Sequence, residues 1–291
     1  MSPNQPLATR MAQQFGVSTF RARAKAGIAN TSTQQAVDLI RKVKVAKRQT
    51  AIAALEDFDG LRQHAIARKD HALANLPGLL EQFERKFTAG GGHVHWAETP
   101  EQACAAVIDI CRGENATAIV KSKSMITEEI HLNDALESHG FAPLETDLGE
   151  YIIQLRGEKP SHIIAPSLHV RKHEVAQTFK QHHTGYDPAR PLDTYESLLM
   201  ESRQTLREGF LRADVGITGA NLLIAETGHA AIVTNEGNAD LCMTLPRCHI
   251  IVTSIDKVIE STQDAATILR LLARSATGQA ISAYTTFVSA P

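Results

Sequence analysis

From His93 onward, short apolar runs alternate with stretches of helical period. Strand-like Val94–Trp96 precedes a helix from Pro100 to Cys111, and a strand at Ala116–Val120 precedes a helix from Met125 to His139. Strand-like Phe141–Glu145 and His162–Ala165 then lead to a helix at Arg171–His183. This alternation predicts an α/β fold with a parallel-centred sheet and flanking helices. After a loop at Gly185–Pro191, a helix is expected over Tyr195–Arg212. A β-rich portion follows at Asp214–Thr218, Asn221–Ala225, Ala230–Thr234 and Ile250–Thr253, with turns at Gly219, Gly228 and Gly237. Helix Gln263–Ala276 comes next. The final AISAYTTFVSAP favours a strand, and a chain stopping in strand material reads as a shortened protein.

Residues 1–90 carry a different pattern. Val37, Ile40, Val43 and Ala46 recur at helical spacing, on a helix capped near Thr33 that runs to about Ala54. Gly27 and Asn30-Thr31-Ser32 interrupt the pattern before it. Further helices are expected at Leu61–Asn75 and Leu79–Phe87, and the glycines at 90–92 close the stretch. The expected organisation is a helical N-terminal arm, 1–90, and an α/β domain, 91–291.

Charge sharpens that division. Residues 1–90 hold 14 Lys+Arg against 7 Asp+Glu, whereas residues 91–291 hold 16 against 25. No zinc-finger spacing or RNA-binding aromatic motif accompanies the basic arm, so a solvated helix face or an acidic protein partner is expected rather than nucleic acid. The chain is 43% hydrophobic but only 5% aromatic, which implies a large, aliphatic core. No apolar run approaches the roughly 18 residues that cross a membrane, and residues 1–16 show no secretory h-region, so a cytoplasmic protein without a membrane span is expected. The four cysteines, Cys104, Cys111, Cys242 and Cys248, form no C-x-x-C pair and no ferredoxin run. They are expected to pack as small hydrophobes, and the chain by itself to bind no cofactor.

The richest stretch for chemistry is AIVKSKSMITEEIHLNDAL, from Ala118 to Leu136. Lys121, Ser122, Lys123 and Ser124 fall in a loop between a strand and a helix, with Ser124 at the N-cap position and Glu128 and Glu129 in the first turns. Two lysines and two hydroxyls beside free backbone N–H groups make an anion site; the alternative is solvated lysines and capping serines. In open parallel sheets ligands sit beyond the carboxyl ends of the strands, where both this loop and Ala165-Pro166-Ser167 would lie. Glu226, in IAETGHAAIV, could be held rigidly at a sheet end as a base or nucleophile, or could accept backbone N–H groups in a turn. Asn221 and Asn235 sit in glycine-rich turns that can present amides to a ligand or simply adopt left-handed backbone. Asp147, Gly149 and Glu150 could orient a ligand hydroxyl or cap the next element. His93 and His95 share a strand face, and His169 and His173 a helix face, but no H-E-x-x-H accompanies them, and no metal is assigned. The G-x-G-x-x-G, Walker A and G-x-S-x-G patterns are absent.

KSKSMITEEIHLNDAL, ETDLGEYIIQL, SHIIAPSLH, GITGANLLIAETG and VTNEGN, in that order, resemble the lactate-utilisation protein B family of bacterial LUD-domain proteins. The resemblance runs from about Phe15 to the last residue and departs from the family pattern at His229, where a small hydroxyl residue usually follows ETG. It implies a fold like the ribose-5-phosphate isomerase and CoA-transferase group. It also implies a part in a cytoplasmic system of companion subunits oxidising L-lactate to pyruvate. Full-length members are expected to bind two [4Fe-4S] clusters in a C-terminal half that this chain lacks, so the chain alone should not transfer electrons. A different class of reading is a stand-alone enzyme or binding module for a small anionic acyl or sugar-phosphate ligand, using Lys121, Lys123 and Glu226. A third is a scaffold whose basic arm recruits a subunit.

Overall fold

The computed structural model describes residues 17–161 and 165–290. Most of the strand expected over His162–Ala165 lies outside those residues. The chain forms two compact units, Met1–Val45 and Ala46–Pro291. In the first, helix α1 (Val17–Ala29) ends at Asn30 and α2 (Thr31–Ala53) begins. Gly27 lies inside α1, so the break falls only at Asn30. Its Oδ1 accepts the Thr33 N–H at 3.1 Å, making Asn30 rather than Thr33 the cap of α2.

In the second unit, α3 (Phe58–Ala74) and α4 (Leu76–Ala89) precede the sheet region. Asp57 caps α3 by accepting the Gly60 N–H at 2.8 Å. Ala72, Leu79 and Phe83 from these helices are buried with Leu223, Ala225, Ala230 and Val258. Both helices, expected in the arm, therefore belong to the core of the second unit.

The remaining elements are α5 (Pro100–Gly113), β1 (Ile119–Lys121), α6 (Met125–Glu129), α7 (Leu132–Ser138), β2 (Pro143–Glu145), α8 (Leu148–Arg156) and α9 (Lys172–His182). After them come α10 (Tyr195–Arg212), β3 (Val215–Thr218), β4 (Leu222–Ile224), β5 (His229–Thr234), α11 (Asn238–Thr244) and β6 (Cys248–Ile251). A single 3₁₀ turn, β7 (Val258–Ile259), α12 (Thr262–Ala276) and β8 (Tyr284–Val288) complete the chain.

Two four-stranded sheets result. One is parallel throughout, in the order β2-β1-β3-β6, with Val120 opposite both Leu144 and Gly216. The other, β7-β4-β5-β8, is mixed: β5 runs antiparallel to β4 and β8, and β7 parallel to β4. The β-rich portion expected after Asp214 is thus shared between two sheets.

Successive residues of a strand face opposite ways, and the parallel sheet is covered on both sides accordingly. Ile119, Val215 and Ile217 join Val107, Ile108, Leu132 and Leu136 beneath α5 and α7. Val120 joins Tyr151, Ile152, Phe179, Leu206 and Phe210 beneath α8, α9 and α10. Every residue of β1 and β3 is buried, which is why they read as short apolar runs.

Two expected elements differ. Val94–Trp96 forms no strand; its side chains lie toward solvent, with Trp96 and both flanking histidines exposed, and alternation without burial does not hold a strand. The helix expected from Met125 to His139 breaks at His131, whose φ of 55° is left-handed. The break lets α7 turn Leu132 and Leu136 fully into the core. Cys104, Cys111 and Cys242 are buried and Cys248 is half-buried. Burial pushes the Cys104 and Cys111 thiols up to about 11 and that of Cys242 to about 12, leaving them protonated small hydrophobes.

Candidate functional site

A cleft of about 590 Å³ opens where the two sheets meet. Parallel strands put their exits on one edge, and three exits form its floor: Ser122-Lys123-Ser124 after β1, Gly219-Ala220-Asn221 after β3, and Val252-Thr253-Ser254 after β6. Leu222, Ile232 and Thr234 of the mixed sheet form one side. Ile268, Leu269 and Leu272 of α12 supply an aliphatic wall.

Ser122 and Ser124 are only 4% and 7% exposed, yet neither hydroxyl has a hydrogen-bond partner among the described residues. Ser124 occupies the N-cap position of α6 without using its side chain as a cap. Ser122 keeps its backbone on the sheet, donating its N–H to Ile217 O at 2.9 Å. A Cβ on Gly219 would stand 2.7 Å from Ser124 Oγ, so a larger residue at the β3 exit would displace that hydroxyl.

The two lysines separate. Lys121 is the last residue of β1, not a loop residue, and is 2% exposed. Its Nζ lies 2.8 Å from Glu145 Oε1, directly across the β1–β2 register, and donates to Thr127 Oγ1 at 3.1 Å. An incoming anion cannot reach it. Asn133 Nδ2 also donates to Glu145, at 2.8 Å, but Glu145 Oε2 has no partner among the described residues, and burial pushes this carboxyl above its ordinary range. Lys123 does line the cleft, with its Nζ 2.7 Å from Glu150 Oε1. Burial first, then the charge of Glu150, pushes the nearby Glu128 carboxyl up to about 7.

Asp147 lines the cleft but is committed to capping α8, accepting the Gly149 and Glu150 N–H groups at 3.0 and 3.2 Å. Burial pushes its carboxyl up as well. Asn221 spends its Oδ1 on the Val233 N–H at 2.8 Å, which fixes β5 beside β4, while Asn235 stands exposed at the rim.

Glu226 lies elsewhere. It is exposed at the far end of β4, outside the cleft, and its Oε2 accepts the Thr262 N–H at 3.0 Å and hydroxyl at 3.3 Å. The carboxylate stabilises the start of α12, where unpaired N–H groups and the helix dipole favour it; it is no base of this site. Glu226→Ala is expected to cost about 0.3–1 kcal/mol in urea unfolding and to leave ligand affinity at the cleft unchanged. A large affinity loss would return Glu226 to the site.

The histidine pairs do not assemble. His93 and His95 are exposed on irregular chain. His169 precedes α9 and bonds Glu158 and Ser161 at 2.7 and 2.8 Å, so it shares no helix face with His173. Among the described residues no group of three His, Cys, Asp or Glu side chains is placed to hold a metal ion. A second polar cluster joins Tyr151, His183, Glu201 and Arg190, with Tyr151 Oη and Glu201 Oε1 each 2.8 Å from the imidazole. Tyr151, His183 and Glu201 are buried here, and the cluster ties α8 and α10 to the residues that follow α9, apart from the cleft.

The model of the LUD domain matches residues 80–291. The chain belongs to the LUD domain family. Lactate utilization protein B of Bacillus velezensis is 40% identical over 97% of this chain, and its namesake in Bacillus subtilis 38% over 97%. An Escherichia coli protein named uncharacterized electron transport protein YkgF is 38% identical over 94%. This LUD chain spans 58% of the length of both Bacillus proteins and 56% of the third. No solved structure matches.

Within this LUD domain, the residues that sequence reasoning missed are Thr253, Ser254 and the wall of α12. Val252-Thr253-Ser254 follows a strand-like run just as Ser122-Lys123-Ser124 does, so the same carboxyl-end rule marks it. Nothing comparable marks Ile268, Leu269 and Leu272, whose spacing reads as ordinary core.

Proposed function

We propose that this chain is the LUD portion of a lactate-utilisation protein B. In this reading it works with companion subunits in a cytoplasmic system that oxidises L-lactate to pyruvate. The observation that carries the reading is identity near 40% across almost the whole chain to proteins of that name. Oxidising lactate releases two electrons, and in the family reading these pass to [4Fe-4S] clusters. The cysteines of this chain do not fit such a cluster. Cys104, Cys111 and Cys248 pack on one face of the parallel sheet and Cys242 on the other, and each thiol is held protonated by burial. In this reading the clusters would be held by a part of the longer relatives that this chain does not cover.

The cleft is the place where this LUD domain would hold a small acid. Two buried, uncommitted hydroxyls and the Lys123 ammonium can all donate to a carboxylate. Titration of L-lactate, followed calorimetrically, tests it. Ser122→Ala combined with Ser124→Ala removes two hydrogen bonds of about 0.5–1.5 kcal/mol each, so affinity should fall roughly 5- to 150-fold. Unchanged affinity would move the ligand off this floor.

The cleft volume supports a second reading, a binding module for a larger anionic acyl ligand. About 590 Å³ is within the roughly 300–1,000 Å³ of sites for drug-sized molecules and far exceeds the needs of lactate. The wall of Ile268, Leu269 and Leu272 suits an alkyl chain. Octanoate binding much more tightly than lactate would favour this alternative.

A further inference from the structure

We infer that Asn221 reads the oxygen on the second carbon of the bound acid, donating through its side-chain NH2 while Ser122, Lys123 and Ser124 hold the carboxylate. This rests on the cleft being the ligand site and adds how that site tells a 2-hydroxy or 2-oxo acid from a plain alkanoate.

The amide is oriented by what it touches. Asn221 Oδ1 accepts the Val233 N–H at 2.8 Å, and a backbone N–H can bond only the oxygen of an amide. The main chain is tied to the same strand, with the Asn221 N–H donating to Ala231 O at 2.9 Å. Nδ2 is left over. It has no partner among the described residues, yet it is not sealed from solvent. The space that Asn221 lines is the cleft.

The floor is close by. Asn221 follows Gly219 by two residues, so their Cα atoms are at most about 7.6 Å apart. Gly219 itself lies against Ser124, where an added Cβ would stand 2.7 Å from Oγ. A three-carbon acid seated on Ser124 is long enough to meet an asparagine side chain from there. Neighbouring polar side chains are committed or sealed. Thr234 Oγ1 donates to Asn238 Oδ1 at 2.9 Å, Asn238 Nδ2 donates to Thr146 Oγ1 at 3.2 Å, and Ser254 donates to Asp256. Thr253 Oγ1 lies beyond the reach of solvent. A hydroxyl or keto oxygen is thus matched by the Asn221 NH2, whereas the CH2 of an alkanoate leaves that donor unpaired.

Calorimetric titrations of the full chain with L-lactate, pyruvate and propionate decide this. The wild type should bind lactate and pyruvate roughly 2- to 12-fold more tightly than propionate, as one hydrogen bond allows. Asn221→Ala should bring the three dissociation constants together and leave that of propionate unchanged. A role confined to fixing β5 would instead weaken all three acids alike and keep the preference. Asn221→Asp keeps the acceptor for the Val233 N–H but turns the cleft-facing donor into an acceptor. A hydroxyl can donate to it and a keto oxygen cannot, so the ratio of lactate to pyruvate affinity should rise; an unchanged ratio counts against Asn221. Binding without preference in the wild type, or a preference that persists in Asn221→Ala, overturns the inference and leaves the cleft reading intact. If none of the three acids binds the wild type, the cleft reading fails and this inference with it. Should Asn221→Ala not fold, the ratio in Asn221→Asp decides.

Discussion

Lys121→Met should lower the unfolding free energy by about 3–5 kcal/mol, because it leaves the Glu145 carboxylate buried without its cation. At this domain size that corresponds to a fall in Tm of roughly 6–20 °C. Glu145 is 5% exposed and, among the described residues, retains Asn133 as its one remaining side-chain donor. In the variant it escapes by taking a proton. A carboxyl whose folded pKa lies above its unfolded value contributes stability at low pH and loses it as pH rises through the folded pKa. The deficit should therefore shrink on acidification and grow toward neutrality, which urea titrations at several pH values will show. Adding Glu145→Leu should restore most of the loss, since the buried charge goes with its partner. A deficit under about 1 kcal/mol at neutral pH would mean that water reaches the pair.

Gly216→Ala should have a still larger effect. Gly216 lies mid-way along β3, at the centre of the parallel sheet, opposite Val120 and His249. An added Cβ would fall 1.8 Å from the Cys242 carbonyl oxygen and 2.8 Å from its carbon. Those are backbone atoms of α11, which no rotamer change can move, and β3 cannot retreat without breaking ladders on both sides. A cost above about 4–5 kcal/mol is expected, seen as loss of soluble protein or of cooperative unfolding. Gly209→Ala is the control. Its Cβ would meet only the flexible end of Leu144, at 2.3 Å, so it should cost about 1–3 kcal/mol and still fold. Equal behaviour of the two variants would refute the close packing of α11 on β3.

The parallel sheet was legible because β1 and β3, buried along their whole length, read as short apolar runs between helical periods. The cleft was partly legible for the same reason: strand exits of a parallel sheet share one edge, and Ser122, Lys123, Ser124 and Asn221 lie on it. Lys121 was misplaced because a charged residue at the end of AIVK looks like the start of a loop. Only the β1–β2 register, which sets Lys121 opposite Glu145, shows that two charges fill one buried position. Glu226 was ambiguous for a different reason. A turn carboxylate can serve chemistry or a helix terminus, and what decides is the start of α12, 36 residues away along the chain. The division at 90–92 rests on a run of glycines, which looks like a linker, whereas apolar contacts of α3 and α4 with the mixed sheet continue across it.

The chain passes from the parallel sheet to the mixed sheet at two places, 219–221 between β3 and β4 and 252–257 between β6 and β7, and residues of both line the cleft. These segments are at once the joints of the domain and the lining of its cavity. Any change in the angle between the sheets must be absorbed there and in the return connection from β5 through α11 to β6, whose Asn235, Glu236, Asn238 and Ala239 also line the cleft, and so becomes a change in its width. Stiffening the second crossing with proline at 255 or 256, which do not line the cleft, would consequently tune affinity through geometry rather than through a group that meets the ligand.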